Sequence, residues 1–275
     1  MLGMQPSSTQ RFVNFRSIHL PGLEISRGHH SGPLPPWRLL PVVRITLLLE
    51  GEAELRWLSQ RFRQKVGGCI IGAPDCTPKI ERRITAEART VHAYVEPALF
   101  DEWMRPRNGP SSRSFQAGCF DDEPLAGALE QLAADVEGDL GQQALRASFD
   151  RLLGQVQRVL ASARSNGHEV PQRPELRRLR EILRERLAEV VTLDELTEEV
   201  GLSKFHLLRL FRDEVGMPPH AFQLQLRISR AQHLLASGVS AADVAVACGF
   251  ADQSHFIHCF KRIVGFTPGA FKRLA

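Results

Sequence analysis

The chain has 275 residues, 43% of them hydrophobic and 24% charged, which excludes disordered, fibrous and disulfide-scaffold classes and is long enough for two ordinary domains. A formal net charge of +4 is too small by itself to argue for nucleic acid or an anionic membrane. Its distribution says more: nine basic and four acidic residues lie from Ser203 to Ala275, whereas residues 1–202 are near neutral, at −1.

In chain order, Gly28, Ser31 and Gly32 around His29 and His30 suggest a flexible arm. Adjacent histidines in an extended segment point apart, so no metal is expected there. Residues 36–100 read as short strands: Leu39 to Leu49, Ala53 to Trp57, Phe62 to Lys65, Cys69 to Ala73 and Arg89 to Val95. Turn formers separate them, namely Gly51, Gly67, Gly68, Pro74, Asp75 and Pro78, and the close spacing suggests a β-barrel or sandwich. From Pro97 the strand pattern stops. Leu125, Leu129, Leu132 and Val136, then Leu145, Phe149, Leu152, Leu153, Val156 and Leu160, recur at helical spacing and predict two amphipathic helices within about 122–162.

The polar segment Ser162 to Pro174 joins no apolar pattern and is the expected boundary. It gives a first domain over 1–165, a linker over 166–173 and a second domain over 174–275. Leu176, Leu179, Leu183, Leu187 and Val190 stripe the next helix behind Pro174. Thr192 and Glu195 form a capping box. Gly201 stops that helix, Ser203 caps another, and Pro218-Pro219 precedes a long helix from about His220 to Ser237.

The five cysteines, Cys69, Cys76, Cys119, Cys248 and Cys259, are odd in number and show no CxxC spacing. Neither a disulfide framework nor a zinc knuckle is signalled, and reduced thiols are expected. Met1 to Ser17 carries no leader pattern, and the longest mostly apolar stretch, Ile45 to Leu49, is far too short to span a bilayer. The expectation is a cytoplasmic protein without a membrane partner.

An internal repeat decides the reading. Leu196, Val200, Gly201 and Leu202 recur 48 residues later as Val244, Cys248, Gly249 and Phe250. Leu207, Phe211, Val215, Gly216 and Pro219 recur 49 later as Phe256, Phe260, Val264, Gly265 and Pro268. Each copy, 192–216 and 240–265, is a short helix, a glycine turn, a capping residue and a second helix with apolar positions four apart: a helix-turn-helix written twice. Packed helix pairs without a nucleic-acid role are the alternative. The residues left over from packing argue against it, being Lys204, Phe205, His206, Leu208, Arg209 and Arg212 in one copy and Gln253, Ser254, Ile257, His258, Lys261 and Arg262 in the other. Donors suited to base edges and phosphates dominate both sets.

The stretch Thr192 to Arg273 resembles the AraC/XylS family of bacterial transcription regulators. The resemblance is carried by Cys248-Gly249-Phe250-Ala251-Asp252-Gln253-Ser254-His255-Phe256, Phe260-Lys261-Arg262 and Gly265-Phe266-Thr267-Pro268. It implies an all-α, seven-helix DNA-binding domain with two helix-turn-helix units joined by the long helix. It also implies base contacts by Phe205, Leu208 and Arg209 in the first unit and by Gln253, Ser254, Ile257 and His258 in the second. The family usually has a small hydroxyl residue where Ile257 stands and Arg where His258 stands. Lys204, Arg212, Lys261, Arg262, Lys272 and Arg273 are expected at phosphates, with the helix N-termini capped by Thr192 and Ser240.

The resemblance further implies a cupin-like N-terminal β-barrel that binds an effector, followed by helices that make a homodimer; double-stranded DNA is the expected partner, with RNA polymerase if the protein activates. Metal-binding cupins carry closely spaced histidines on one strand pair and another after a later proline. Residues 38–60 contain no His, and Lys79 stands near the later position, so no metal and no cofactor is expected. Arg44 and Thr46, and His92 and Tyr94, lie two apart on predicted strands, so each pair shares a face and lines a candidate effector pocket. A cupin-type metalloenzyme with an accessory DNA-binding tail is the alternative, and a non-specific architectural DNA-binding protein a third reading.

Overall fold

A computed structural model describes residues 10–16, 19–32, 40, 42–57, 60–74, 78–112, 115, 118–165 and 173–274. The chain divides into two compact units, 1–170 and 171–275. Leu39, Asp75, Cys76 and linker residues 166–172 lie outside the described residues.

The first unit is built on nine strands: β1 (Gln10–Arg16), β2 (Leu23–His30), β3 (Val43–Glu50), β4 (Ala53–Trp57), β5 (Gln60–Gln64), β6 (Gly68–Gly72), β7 (Lys79–Arg83), β8 (Ala88–Val95) and β9 (Gly118–Asp121). They pair antiparallel in two sheets, one ordered β1-β2-β8-β3-β6-β9 and the other β5-β4-β7. Among the described residues neither sheet closes on itself.

Strand alternation gives the larger sheet two different faces. Ile25, Ala93, Ile45 and Ile71 stand opposite one another across β2, β8, β3 and β6, and all are buried. Helix α2 (Glu123–Glu137) packs on this sheet, and Arg27 of β2, on the aliphatic side, pairs with Glu137 at 2.5 Å. On the reverse face Ile70 meets Ala53 and Leu55 of the smaller sheet, so that face looks into the space between the sheets. Besides α2, the unit has α1 (Pro97–Met104), a 3-10 turn Arg105–Arg107, and α3 (Gln142–Ser165). The stripes Leu125–Val136 and Leu145–Leu160 are buried inside this unit.

Three expectations are corrected. The segment around His29 and His30 is not a flexible arm but the end of β2, hydrogen-bonded to both β1 and β8; Ser26 and His30, on the face between the sheets, break the expected apolar signal. The sheet therefore begins at Gln10 and not near residue 36. Strand β7, KIERR, was hidden because its charges suit an edge strand. Strand β9 follows Pro97, where the strand pattern was expected to have ended.

The second unit has seven helices among the described residues: α4 (Pro174–Glu185), α5 (Leu193–Val200), α6 (Lys204–Val215), α7 (Pro219–Ala236), α8 (Ala241–Ala247), α9 (Gln253–Val264) and α10 (Pro268–Leu274). Thr192 makes the capping box with Glu195, Ser203 accepts from the His206 N–H, Ser240 from Asp243, and Asp252 from His255. The repeat is a repeat in space. Leu207 and Phe211 are buried as Phe256 and Phe260 are, and Gly201 and Gly249 both turn through the left-handed region, at φ 67° and 72°. Helix α7 serves both copies: Phe222 packs edge-on against Phe211, while Ile228, Ala231 and Leu235 join Val244, Phe256 and Phe260. One expectation fails. Helix α4 ends at Glu185, and Val190 lies beyond it, 82% exposed.

Candidate functional site

The second unit places its sequence-predicted DNA residues on two surfaces. On α6, Lys204, Phe205, Arg209 and Arg212 are exposed and Leu208 is half-buried. On α9, Gln253, Ser254, His258, Lys261 and Arg262 are exposed and Ile257 is half-buried, packed on the edge of the core. The two sets occupy equivalent positions of the repeat. Phe205 is 70% exposed, its ring 6.0 Å from that of His206 between centroids; so little burial gives no packing reason for an aromatic there. Lys204 lies 2.5 Å from Asp194 and Arg209 3.6 Å from Asp213. Both pairs are solvent-exposed and therefore weak, so a phosphate or base edge can displace the carboxylate. Arg212, Lys261 and Arg262 make no ion pair among the described residues. Each surface begins at a capped helix N-terminus, whose unpaired N–H groups favour an anion.

A latch that the sequence reading missed holds these surfaces. Arg227 of α7 donates to the carbonyls of Leu187 at 2.8 Å, Glu189 at 2.8 Å and Gly249 at 2.6 Å, and its guanidinium lies 6.0 Å from the centroid of the Phe250 ring. Gln223, one turn earlier, donates to the Arg186 and Glu189 carbonyls at 3.0 and 3.1 Å. Burial pushes the Arg227 pKa down, and the three carbonyls satisfy its donors where no carboxylate does. Gly249 completes the contact, because a Cβ there would overlap the Ala188 carbonyl. The α4–α5 connection, α7 and the second glycine turn are thereby tied together. Only the match of Gly249 to Gly201 hinted at this in the sequence.

The first unit brings together the four residues proposed for an effector. Arg44 stands opposite Tyr94, and Thr46 opposite His92, on adjacent strands, so all four share the face between the sheets. The Thr46 hydroxyl is 2.9 Å from His92 Nδ1, the Thr90 hydroxyl 2.8 Å from His92 Nε2, and His30 Nε2 2.9 Å from the Thr90 hydroxyl. His92 stacks on Tyr94 with centroids 5.6 Å apart and meets His30 edge-on at 6.2 Å. Burial, then Arg44 and His30, hold His92 well below the usual histidine pKa. Burial, then Arg83 and His29, lower His30 to about 4. Burial pushes the Tyr94 phenol up. The seam is thus made of neutral histidines and a neutral phenol around a half-buried Arg44, whose own pKa burial lowers. His30, Thr90, Ser26 and Arg83 were not anticipated. For Ser26 and His30 on β2 and Thr90 on β8 the period-2 spacing was the available signal, obscured by the misread arm; Arg83 lies on β7, which was itself hidden.

Among the described residues no group of three or more His, Cys, Asp or Glu converges as metal ligands, and no helix is long and apolar enough to cross a membrane. Cys69, Cys119, Cys248 and Cys259 are free. Burial pushes the Cys69 and Cys119 thiols up to about 12, which makes them poor nucleophiles.

Residues 196–274 match the family described as "Helix-turn-helix domain". Residues 196–274 of the second unit carry an AraC-type helix-turn-helix domain. The chain is 44% identical over 81 residues to an uncharacterized HTH-type transcriptional regulator, YbfI of Bacillus subtilis, covering 30% of each chain. It is 30% identical over 143 residues to the transcriptional activator RhaS of Escherichia coli, 51% of each, and 34% identical over 96 residues to the regulator GbdR of Pseudomonas aeruginosa, 34% of this chain and 26% of that one. The chain thus spans about half the length, or less, of these relatives. Over 97% of both chains its fold is similar to apo ToxT K231A of Vibrio cholerae, with a TM-score of 0.54 and 11% identity, so the pairing of a sheet-rich N-terminal domain with a helical C-terminal domain is shared.

Proposed function

We propose that this protein is an effector-responsive, sequence-specific DNA-binding transcription regulator, whose α6 and α9 enter two successive major-groove segments of double-stranded DNA. The supporting observation is the pair of equivalent, exposed helix surfaces whose residues packing does not explain, above all Phe205. In this reading Phe205, Leu208 and Arg209, and Gln253, Ser254, Ile257 and His258, face bases. Arg209 suits guanine O6 and N7, a contact worth about 1–3 kcal/mol of discrimination. Lys204, Arg212, Lys261 and Arg262 meet phosphates. The 18-residue helix α7 spans about 27 Å at roughly 1.5 Å per residue, less than the ~34 Å between major grooves on one DNA face, so the units sit off its ends or the DNA bends.

The N-terminal unit is a cupin-like effector domain in this reading, with Arg44, Thr46, His92 and Tyr94 at its seam. The protein works in the cytoplasm and is not an enzyme. It acts as a homodimer, the contact falling to outer faces of α2 and α3, since their apolar stripes already serve the protomer's own core. RNA polymerase is a partner if it activates. The test is a mobility-shift titration on DNA flanking its own gene: salt-sensitive, sequence-dependent binding is expected, and binding indifferent to sequence overturns the reading.

A further inference from the structure

The inter-sheet seam carries an imbalance that folding alone does not explain. Buried polar groups are normally hydrogen-bonded, and buried charges normally paired. Here the buried Nε of Arg44, the buried Nη1 of Arg83 and the buried Ser26 hydroxyl have no hydrogen-bond partner among the described residues. No ion pair engages Arg44 or Arg83 among the described residues. The three belong to one region. Ser26 faces His92 in register from β2, and Thr46 faces it from β3 with Arg44 two residues along. Arg83, on the smaller sheet, acts electrostatically on His30, and Arg44 on His92. Two guanidinium groups thus act on a pair of neutral histidines whose rings are 6.2 Å apart, and Arg83 stands in register opposite Ala53, which packs on Ile70 across the seam.

The chemistry of the unmet groups selects the ligand. The Arg44 guanidinium is a planar fork of N–H donors that cannot itself accept, and its buried Nε meets no acceptor among the described residues. Tyr94, kept neutral, adds an O–H, and Ser26 a hydroxyl. Glu24, opposite Tyr94 in register, is the one carboxylate of the described residues in that row. A neutral polyol would need acceptors and donors in similar number; this seam has an excess of donors and of positive charge. A planar oxyanion that accepts two parallel N–H bonds removes the imbalance.

We propose that the seam binds a small organic carboxylate, seated on the Arg44 guanidinium beside Tyr94 and Ser26, with Arg83 supplying positive charge from the opposing sheet. The inference rests on the effector-domain reading above and names the ligand class. Arg44 is then a binding residue whose charge is held uncompensated until the ligand arrives, and a variant without that charge gains stability when no ligand is present.

The experiment is thermal unfolding of the full chain, wild type and Arg44→Met, with butyrate, succinate and benzoate as sodium salts against butyramide, succinamide, benzamide and sodium chloride at matched ionic strength. At least one acid raises the wild-type Tm by about 4 °C or more, while its amide and chloride do not. Arg44→Met abolishes that response and raises the ligand-free Tm; Arg44→Lys keeps part of the response. The proposal is overturned if no acid shifts the wild type, if the amides act as well as the acids, or if Arg44→Met lowers the ligand-free Tm. A mobility shift on the same samples separates the two readings. DNA binding without a carboxylate response overturns the anion site alone, and a carboxylate response without DNA binding supports the site and overturns the regulator.

Discussion

The two units use their interiors in opposite ways. In the C-terminal unit the repeated helices bury Leu207, Phe211, Phe256 and Phe260 in an apolar core, and the polar chemistry stands outside on α6 and α9. In the N-terminal unit one sheet face is aliphatic, but the other carries Ser26, Thr46, Thr90 and His92, all buried. Hydrophobic burial stabilises in proportion to apolar area, so a polar interior forgoes stability. The first unit's chemistry faces inward and the second's faces outward.

The largest effect should come from the C-terminal core. Phe260→Ala removes a fully buried ring from the second copy and should cost about 3–5 kcal/mol in urea unfolding; a loss below about 1 kcal/mol would mean the core is not packed as described. Gly249→Ala should cost about 2–4 kcal/mol, from a left-handed backbone and the overlap with Ala188. Gly201→Ala, with nothing within 4 Å of its Cβ position, should cost only the backbone term, about 1 kcal/mol. Equal losses at the two glycines would break the asymmetry between the copies.

Acid should act on the other unit. Unfolded histidines take up protons near pH 6.5, whereas burial lowers native His30 to about 4 and holds native His92 well below the usual histidine value. Between those limits the unfolded chain binds more protons, so stability is present above about pH 6.5 and is lost as pH falls. The N-terminal transition should lose Tm between pH 7 and 4.5, and His92→Gln should flatten that dependence. Ser26→Ala, which removes a hydroxyl without a partner, should leave ligand-free stability unchanged or raise it by about 1 kcal/mol. Val244→Thr in the C-terminal core should lower it by about 1–3 kcal/mol. The smallest effect belongs to the surface: Arg212→Ala or Lys261→Ala should each reduce the slope of log affinity against log salt by about 1, with stability changed by less than about 0.5 kcal/mol.

The C-terminal unit was readable because its signals are local. Caps at Thr192, Ser203 and Ser240, glycine turns and apolar spacings of four are written within a few residues of one another, and the repeat at 48 and 49 residues supplied an internal check. The latch was not readable, because Arg227 reaches carbonyls 22–40 residues away and donors to backbone leave no mark on the partner's side chain. In the N-terminal unit β3 and β8 showed through their aliphatic residues, and Arg44, Thr46, His92 and Tyr94 could be paired by alternation. Strand β2 was hidden because Ser26 and His30 on its inward face defeat the rule that apolar residues mark the inside. The orphaned guanidinium groups, which select the ligand, emerge only when cross-strand partners are known.

The claim that two equivalent helix surfaces read two adjacent DNA segments is tested most directly by selecting binding sites from a randomised duplex pool with wild type, Arg209→Ala and His258→Ala. Each variant should relax preference at its own base positions, the two sets lying about one helical turn, roughly 10 base pairs, apart. Uniform weakening across all sequences by either variant, or relaxation at the same positions by both, would contradict the account.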